Sequence, residues 1–162
     1  MERGWVFGDA APGAVLRHPG GRTIGPDEQV LLAWWTNNAS EVHGNADRAS
    51  RGEFGGPIVL GALSVAIVIG LAAPATAAPH LAARAMTRGW RLIRLLGPVL
   101  PGDTVIAESH VDAVFPDEDG LGGTVERSVV GRNQRNEEIV RVDDRCWAPG
   151  LEAPRGGPAP GQ

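Results

Sequence analysis

The chain has 162 residues, a formal net charge of −4, 23 Gly, 13 Pro and 15 basic residues, every one an arginine. One domain is expected at this length, with enough core to fold without disulfides or metal, and the lack of a basic surplus or basic run disfavours nucleic-acid binding. The lone cysteine, Cys146, cannot form an internal bridge, and His18, His43, His80 and His110 are scattered without metal-ligand spacing, so no metal site is expected.

The N-terminus, MERGWVFGDAAPG, has no apolar signal core, and a secretory leader is not expected. Residues 1–25 are rich in Gly and Pro, with a candidate strand at Gly13–Leu16 and a turn at Pro19-Gly20-Gly21. Pro26 opens a helix where a missing N–H costs nothing, and Asp27 and Glu28 complement its dipole. Val30, Leu31, Trp34 and Trp35 supply its apolar side, and Thr36-Asn37-Asn38 ends it. From Asn38 to Gly56 the chain is polar and irregular, with one helical turn at Ala46–Arg51. Ile58–Ala73 then runs without a charge between Pro57 and Pro74. It is shorter than the about 20 apolar residues that a membrane span needs, and it predicts a buried central helix over Ile58–Leu71, hence a soluble, cytoplasmic protein with no membrane partner.

After an Ala/Pro connection at Ala72–Pro79, four strands are predicted at Met86–Leu96, Val105–Phe115, Thr124–Gly131 and Glu138–Trp147. Val105, Ala107, Val111, Ala113 and Phe115 are the inward candidates of the second. Turn clusters at Asp117–Gly123 and Gly131–Asn136 suggest an antiparallel meander. The expected organisation is one domain over residues 1–148 and a disordered Pro/Gly-rich tail over 149–162. A lone apolar helix needs cover on all sides, and a curved antiparallel sheet rolled around it supplies that cover. This is an α+β hotdog fold.

Several stretches, in order, resemble the MaoC-like hydratases. Gly21-Arg22-Thr23-Ile24 with Val30–Ala33 resembles the family's GRTI…VxxFA opening, and Thr36–His43 (TNNASEVH) its T-G-D-x-N-P-x-H loop. Phe54–Gly61 (FGGPIVLG) resembles FGxxIxHG at the start of the central helix. Trp90 and Pro98-Val99-Leu100-Pro101-Gly102-Asp103-Thr104 are similar to the strand pair and its PVxxGDT corner. The resemblance implies (R)-specific hydration or dehydration of 2-enoyl and 3-hydroxyacyl thioesters without a cofactor. It also implies that a backbone N–H at the helix start, at Gly61, receives the thioester oxygen. Helix N-termini suit a developing enolate, and glycine admits close approach; tight helix–sheet packing is the other reading of Gly61.

Within the loop the motif's Gly is Asn37, its Asp is Asn38, its Asn is Ser40, its Pro is Glu41, and only the histidine remains, as His43. The histidine of the HG pair is Leu60. An amide cannot take a proton at neutral pH, so three readings stand. His43 acts alone as acid and base, with Asn38 orienting it or the substrate. Glu41 supplies the carboxylate, since residues 41 and 43 of an extended loop point to one side. Or the chain is a non-catalytic hotdog subunit that shapes a partner's acyl pocket. Trp34, Trp35 and Leu60 are candidate substrate contacts, with core packing the alternative for at least one tryptophan. Asp103 is expected to tie its own turn, Arg22 to anchor the N-terminal segment, Gly120–Gly123 to be no phosphate loop, and Cys146 to be packed.

The expected function is dehydration or hydration of an acyl thioester carried by coenzyme A or a carrier protein. The alternative is a repurposed cyclase or isomerase that adds an internal hydroxyl to an enoyl group. A homodimer is expected, hiding edge strands.

Overall fold

The structure, a computed structural model, describes residues 5–74 and 87–150. Most of the Ala72–Pro79 connection, His80, Met86 and the tail beyond Gly150 lie outside the described residues. A 3-10 turn at Phe7–Asp9 precedes β1 (Val15–Arg17), β2 (Arg22–Thr23), α1 (Pro26–Trp35), α2 (Glu41–Gly44), α3 (Ala46–Ser50) and α4 (Gly61–Leu71). Then come β3 (Thr87–Leu95), β4 (Thr104–Pro116), β5 (Gly122–Arg132) and β6 (Glu138–Pro149). All pairings are antiparallel, in the order β1-β4-β5-β6-β3, with β2 also on β4. Helix α4 packs against β4, β5 and β6, so the α+β sheet-on-helix arrangement read from the sequence is present. Among the described residues no helix is long and apolar enough to cross a membrane.

Four details differ from the sequence reading. Only β4–β5–β6 form a meander, because β1 and β2 occupy the outer edge of β4 and leave β3 to pair with β6. A bulge between Val111 and Ala113 breaks the alternation of β4: Val105, Ala107 and Val111 are buried, but Ala113 is half-buried and Phe115 exposed. Helix α1 is turned so that Gln29 and Ala33 are buried, while Leu31, Trp34 and Trp35 face outward. Finally, α4 starts at Gly61 rather than Ile58, since Ile58 N–H donates to the Val42 carbonyl (3.1 Å) and Val59 N–H to the Val99 carbonyl (2.7 Å). The sheet covers Ser64, Ile67 and Val68 of α4 but leaves Ala62, Ala66 and Gly70 exposed, so the described residues do not cover the helix on all sides.

The main core lies between α4 and the sheet, with Val68, Val105, Val129 and Val142 all at 0% exposure. Gly131 on β5 sets the spacing. A Cβ there would come within 2.3 Å of Val68 Cγ2, and a valine in a helix has little rotamer freedom to yield. A second cluster, Trp5, Val111, Val125, Cys146 and Ala148, packs under the N-terminal segment. Burial there pushes the Cys146 thiol up to about 12, consistent with a packed cysteine.

A polar network lies at the far end of α4. Arg127 on β5, 1% exposed, donates to both carboxylate oxygens of its cross-strand neighbour Asp144 (2.8 and 3.1 Å) and to the Ala72 carbonyl at the helix C-cap (2.7 Å). Trp5 donates to the same carbonyl (3.0 Å) and lies against the guanidinium, 5.0 Å from ring centroid to Cζ. Arg127 also donates to Ser109 Oγ (3.2 Å), which is 2.7 Å from His18 Nε2. Burial, then the Arg127 charge, push His18 from 6.5 down to about 4, against a smaller opposing pull from Glu108.

Gly131→Ala is expected to destabilise the fold by about 1–3 kcal/mol, and Val68→Ala to recover part of that loss in the double mutant, read by denaturant titration. Because protonation of His18 favours the unfolded chain, its contribution is complete above pH 6.5 and is lost as pH falls toward 4. The loss amounts to at most about 3 kcal/mol. A pH series of melting curves should show a drop in that window that His18→Gln abolishes.

Candidate active site

The loop that joins α1 to α4 is shaped by polar side chains. Thr36 Oγ1 donates to the Leu32 carbonyl (2.7 Å), and Asn38 N–H reaches back to the Ala33 carbonyl (2.8 Å), closing the helix. Asn37 has φ of 52°, a region that glycine favours and asparagine tolerates. The residue in the motif's glycine position therefore keeps the backbone such a turn needs. Asn38 Oδ1 accepts from Ser40 N–H (3.0 Å), an Asx turn that leads into α2.

His43 sits in the single turn of α2, half-buried. Its Nδ1 is 2.8 Å from the Ile58 carbonyl. A carbonyl only accepts, so Nδ1 carries the proton and Nε2 of the neutral ring keeps its lone pair. Because Ile58 N–H also donates to the Val42 carbonyl, the turn is clasped to the extended segment before α4.

That clasp brings His43 to the start of α4. His43, Phe54, Gly61, Ser64 and Leu95 line one cavity of about 410 Å³, closed by Val99, Ile139 and Val140. Leu60 is the N-cap of α4 and provides no side-chain cap. The first amides of a helix lack intrahelical partners, so the site presents N–H donors beside an imidazole acceptor in an apolar cavity. Gly61 lines the cavity, and Leu95 Cδ1 on β3 fills the space where its Cβ would be, 2.3 Å away, which is the tight helix–sheet packing read as the alternative for it.

The other candidates are placed apart. Trp34, Asn37, Asn38 and Glu41 line a second cavity of about 540 Å³, which His43 does not line. The backbone at Glu41–Gly44 is helical, not extended, so residues 41 and 43 do not share a side. Glu41 pairs with Arg48 (3.2 Å) and accepts from Asn45 (3.4 Å). Trp35 lines neither cavity; it is 78% exposed and Trp34 74%, so neither packs in the core of this chain. Leu60 is buried at 3%.

Elsewhere, Arg22 pairs with Glu28. Asp103 accepts from Leu100 N–H (2.9 Å), Gln134 and Arg135. Burial acts to raise its carboxyl, but these bonds outweigh it and hold Asp103 below the usual carboxylate range. Two residues at the site escaped the sequence reading. Ser64 is the one polar side chain in the Ile58–Ala73 run, which was its available signal. Gln29 lies four residues before buried Ala33, on the same helical face. Among the described residues no group of three or more His, Cys, Asp or Glu could hold a metal ion.

The chain matches the family described as "MaoC like domain" over residues 8–128. No curated protein matches it. Among solved structures it is similar to the MaoC-like dehydratase from Rhodospirillum rubrum (19% identity, 93% of this chain and 100% of that one, TM-score 0.72). It is similar to the R-hydratase PhaJ1 from Pseudomonas aeruginosa (20%, 98% and 97%, TM-score 0.68). A Mycobacterium tuberculosis protein described as having a double hotdog fold aligns at 16% identity over 96% of this chain and 47% of its own, TM-score 0.69. The fold is a hotdog.

Proposed function

The chain belongs to the MaoC-like family, and from that premise we propose that it adds or removes the elements of water at a 2-enoyl or 3-hydroxyacyl thioester, with His43 as a single acid and base. The observation that carries this reading is one cavity lined by both His43 and the uncapped start of α4, with His43 Nδ1 bonded to Ile58 O. In the dehydration direction, Nε2 takes the α-proton and the thioester oxygen gains negative charge against the Gly61 N–H. The imidazolium then gives that proton to the departing β-hydroxyl. The C–O bond breaks, the carbon–carbon double bond forms, and water leaves. The substrate is an acyl chain on coenzyme A or a carrier protein.

A second reaction uses the same parts. Asn38 and Glu41 line the other cavity, and among the described residues no carboxylate lines that of His43. This favours a substrate that brings its own nucleophile, an internal hydroxyl closing a ring on the enoyl group. His43 would accept the hydroxyl proton and return it to the α-carbon. An isomerisation by proton transfer needs the same base.

His43→Ala is expected to lower turnover of the native thioester by about 10²–10⁴ while the circular dichroism spectrum is kept. Glu41→Gln is expected to leave turnover nearly unchanged; unchanged turnover in His43→Ala would overturn the assignment. Asn38→Asp, with its side chain in the other cavity beside Glu41 and still able to accept from Ser40 N–H, is likewise expected to leave turnover nearly unchanged. The subunits are proposed to pair as a homodimer, because β3 is a long edge strand that leaves Trp90, Leu92, Ile93 and Leu95 exposed. Light scattering at micromolar concentration should give about twice the 17.0 kDa chain mass; a clean monomer would refute the pairing.

A further inference from the structure

Gln29 is 2% exposed, an unusual place for a glutamine. Its Nε2 donates to the backbone carbonyl of His43 at 2.5 Å. Its Oε1 is buried and has no hydrogen-bond partner among the described residues. The amide cannot be turned round to relieve this, since the His43 carbonyl accepts and requires the N–H₂ end. A buried, unmatched acceptor is unfavourable, and an apolar side chain of the same length would avoid it.

The bond that Gln29 does make falls on an element that cannot hold itself. A helix of one turn is below the length at which helices persist alone, and α2 has no side-chain N-cap. Its position depends on bonds from outside. Two come from Ile58, whose N–H donates to the Val42 carbonyl and whose carbonyl accepts from His43 Nδ1. Both lie on the α4 side, and the turn's other ties, the Asn38–Ser40 Asx turn and the Glu41–Arg48 pair, are solvent-exposed. Gln29 reaches the turn from α1 and adds a tie from the buried side.

We propose that Gln29 is a positioning residue for His43, retained at a cost to stability because its amide fixes the turn that aims the imidazole into the cavity. The inference rests on His43 being the proton-transfer residue. It also explains why α1 presents a polar side chain to the interior beside Ala33: the helix holds the active-site turn as well as covering the core.

Gln29→Met, similar in length and helix preference but without the amide, is the test, made on the full-length, ¹⁵N-labelled protein. Three quantities are read: the melting temperature, the His43 tautomer from long-range ¹H–¹⁵N spectra, and turnover of a 2-enoyl-coenzyme A series. The variant is expected to melt at or above the wild-type temperature. Its His43 should shift from the Nδ1–H form toward a mixture with Nε2–H. Its kcat should fall about tenfold, the worth of one hydrogen bond, with KM little changed. Gln29→Glu should restore kcat only at pH values where the buried carboxyl is protonated and can donate.

A variant that melts well below wild type or fails to fold overturns the proposal, because Gln29 is then an ordinary structural bond. An unchanged tautomer with unchanged turnover overturns it too. If the tautomer shifts but neither protein turns over any member of the series, the positioning role of Gln29 stands and the thioester reading of the site falls.

Discussion

The guanidinium of Arg127 is the contact on which the rest of the molecule is organised. From the middle of β5 it joins β6 through Asp144, the helix end through Ala72, β4 through Ser109 and the N-terminal segment through Trp5. Removing an arginine's hydration is severe, and here every partner compensates: a carboxylate in two-point contact, a helix carbonyl at the negative end of the dipole and an aromatic face. A buried pair of this kind adds little net stability but is highly sensitive to loss of one member. It fixes where α4 ends, and with Gly131 fixing how near α4 lies to β5, the helix has one possible seat.

The opposite end of α4 shows the reverse logic. There the N-cap is a leucine, no side chain satisfies the first amides, and the preceding residues are held extended by Val42 and Val99. Order at one end permits an unsatisfied donor set at the other. His43 faces that set because the same extended segment that positions the helix start also accepts its Nδ1–H. The His43 ring and the first amides of α4 are thus referenced to one short stretch, Ile58–Val59, so small movements of the loop as a whole do not separate them. The loop makes its turn without a glycine, Asn37 itself adopting the left-handed backbone.

The sheet and the central helix were legible because their signals are strong: an uncharged run between prolines and strands that alternate over eight or more residues. The motif resemblance located His43 and Gly61, which do share a cavity. What failed was everything that depends on rotation or register. On α1 the tryptophans outweigh Gln29 and Ala33 in hydrophobicity and so point to the wrong buried face, since they are the ones exposed. Alternation alone points Phe115 inward, because a bulge leaves no mark in an alternating sequence. An extended loop would put Glu41 beside His43, whereas Glu41–Gly44 form a turn of helix. Long-range partnership, such as that of Arg127 with Ala72, has no sequence signature at all.

The strand order has a kinetic consequence. The strand nearest the C-terminus, β6, lies between β5 and β3. As the chain leaves the ribosome, β3 emerges before β4 and β5 yet has no neighbour among them, and it waits until nearly the whole domain has been made. Helix α4, among the most apolar segments, waits with it, because β6 forms part of its floor. Loop closure over such separations is slow, and an exposed helix and unpaired strand are the species that aggregate in the interval. The arginines at 88, 91 and 94, set among the apolar residues of β3, put charge on that strand during the one stage when it has no partner.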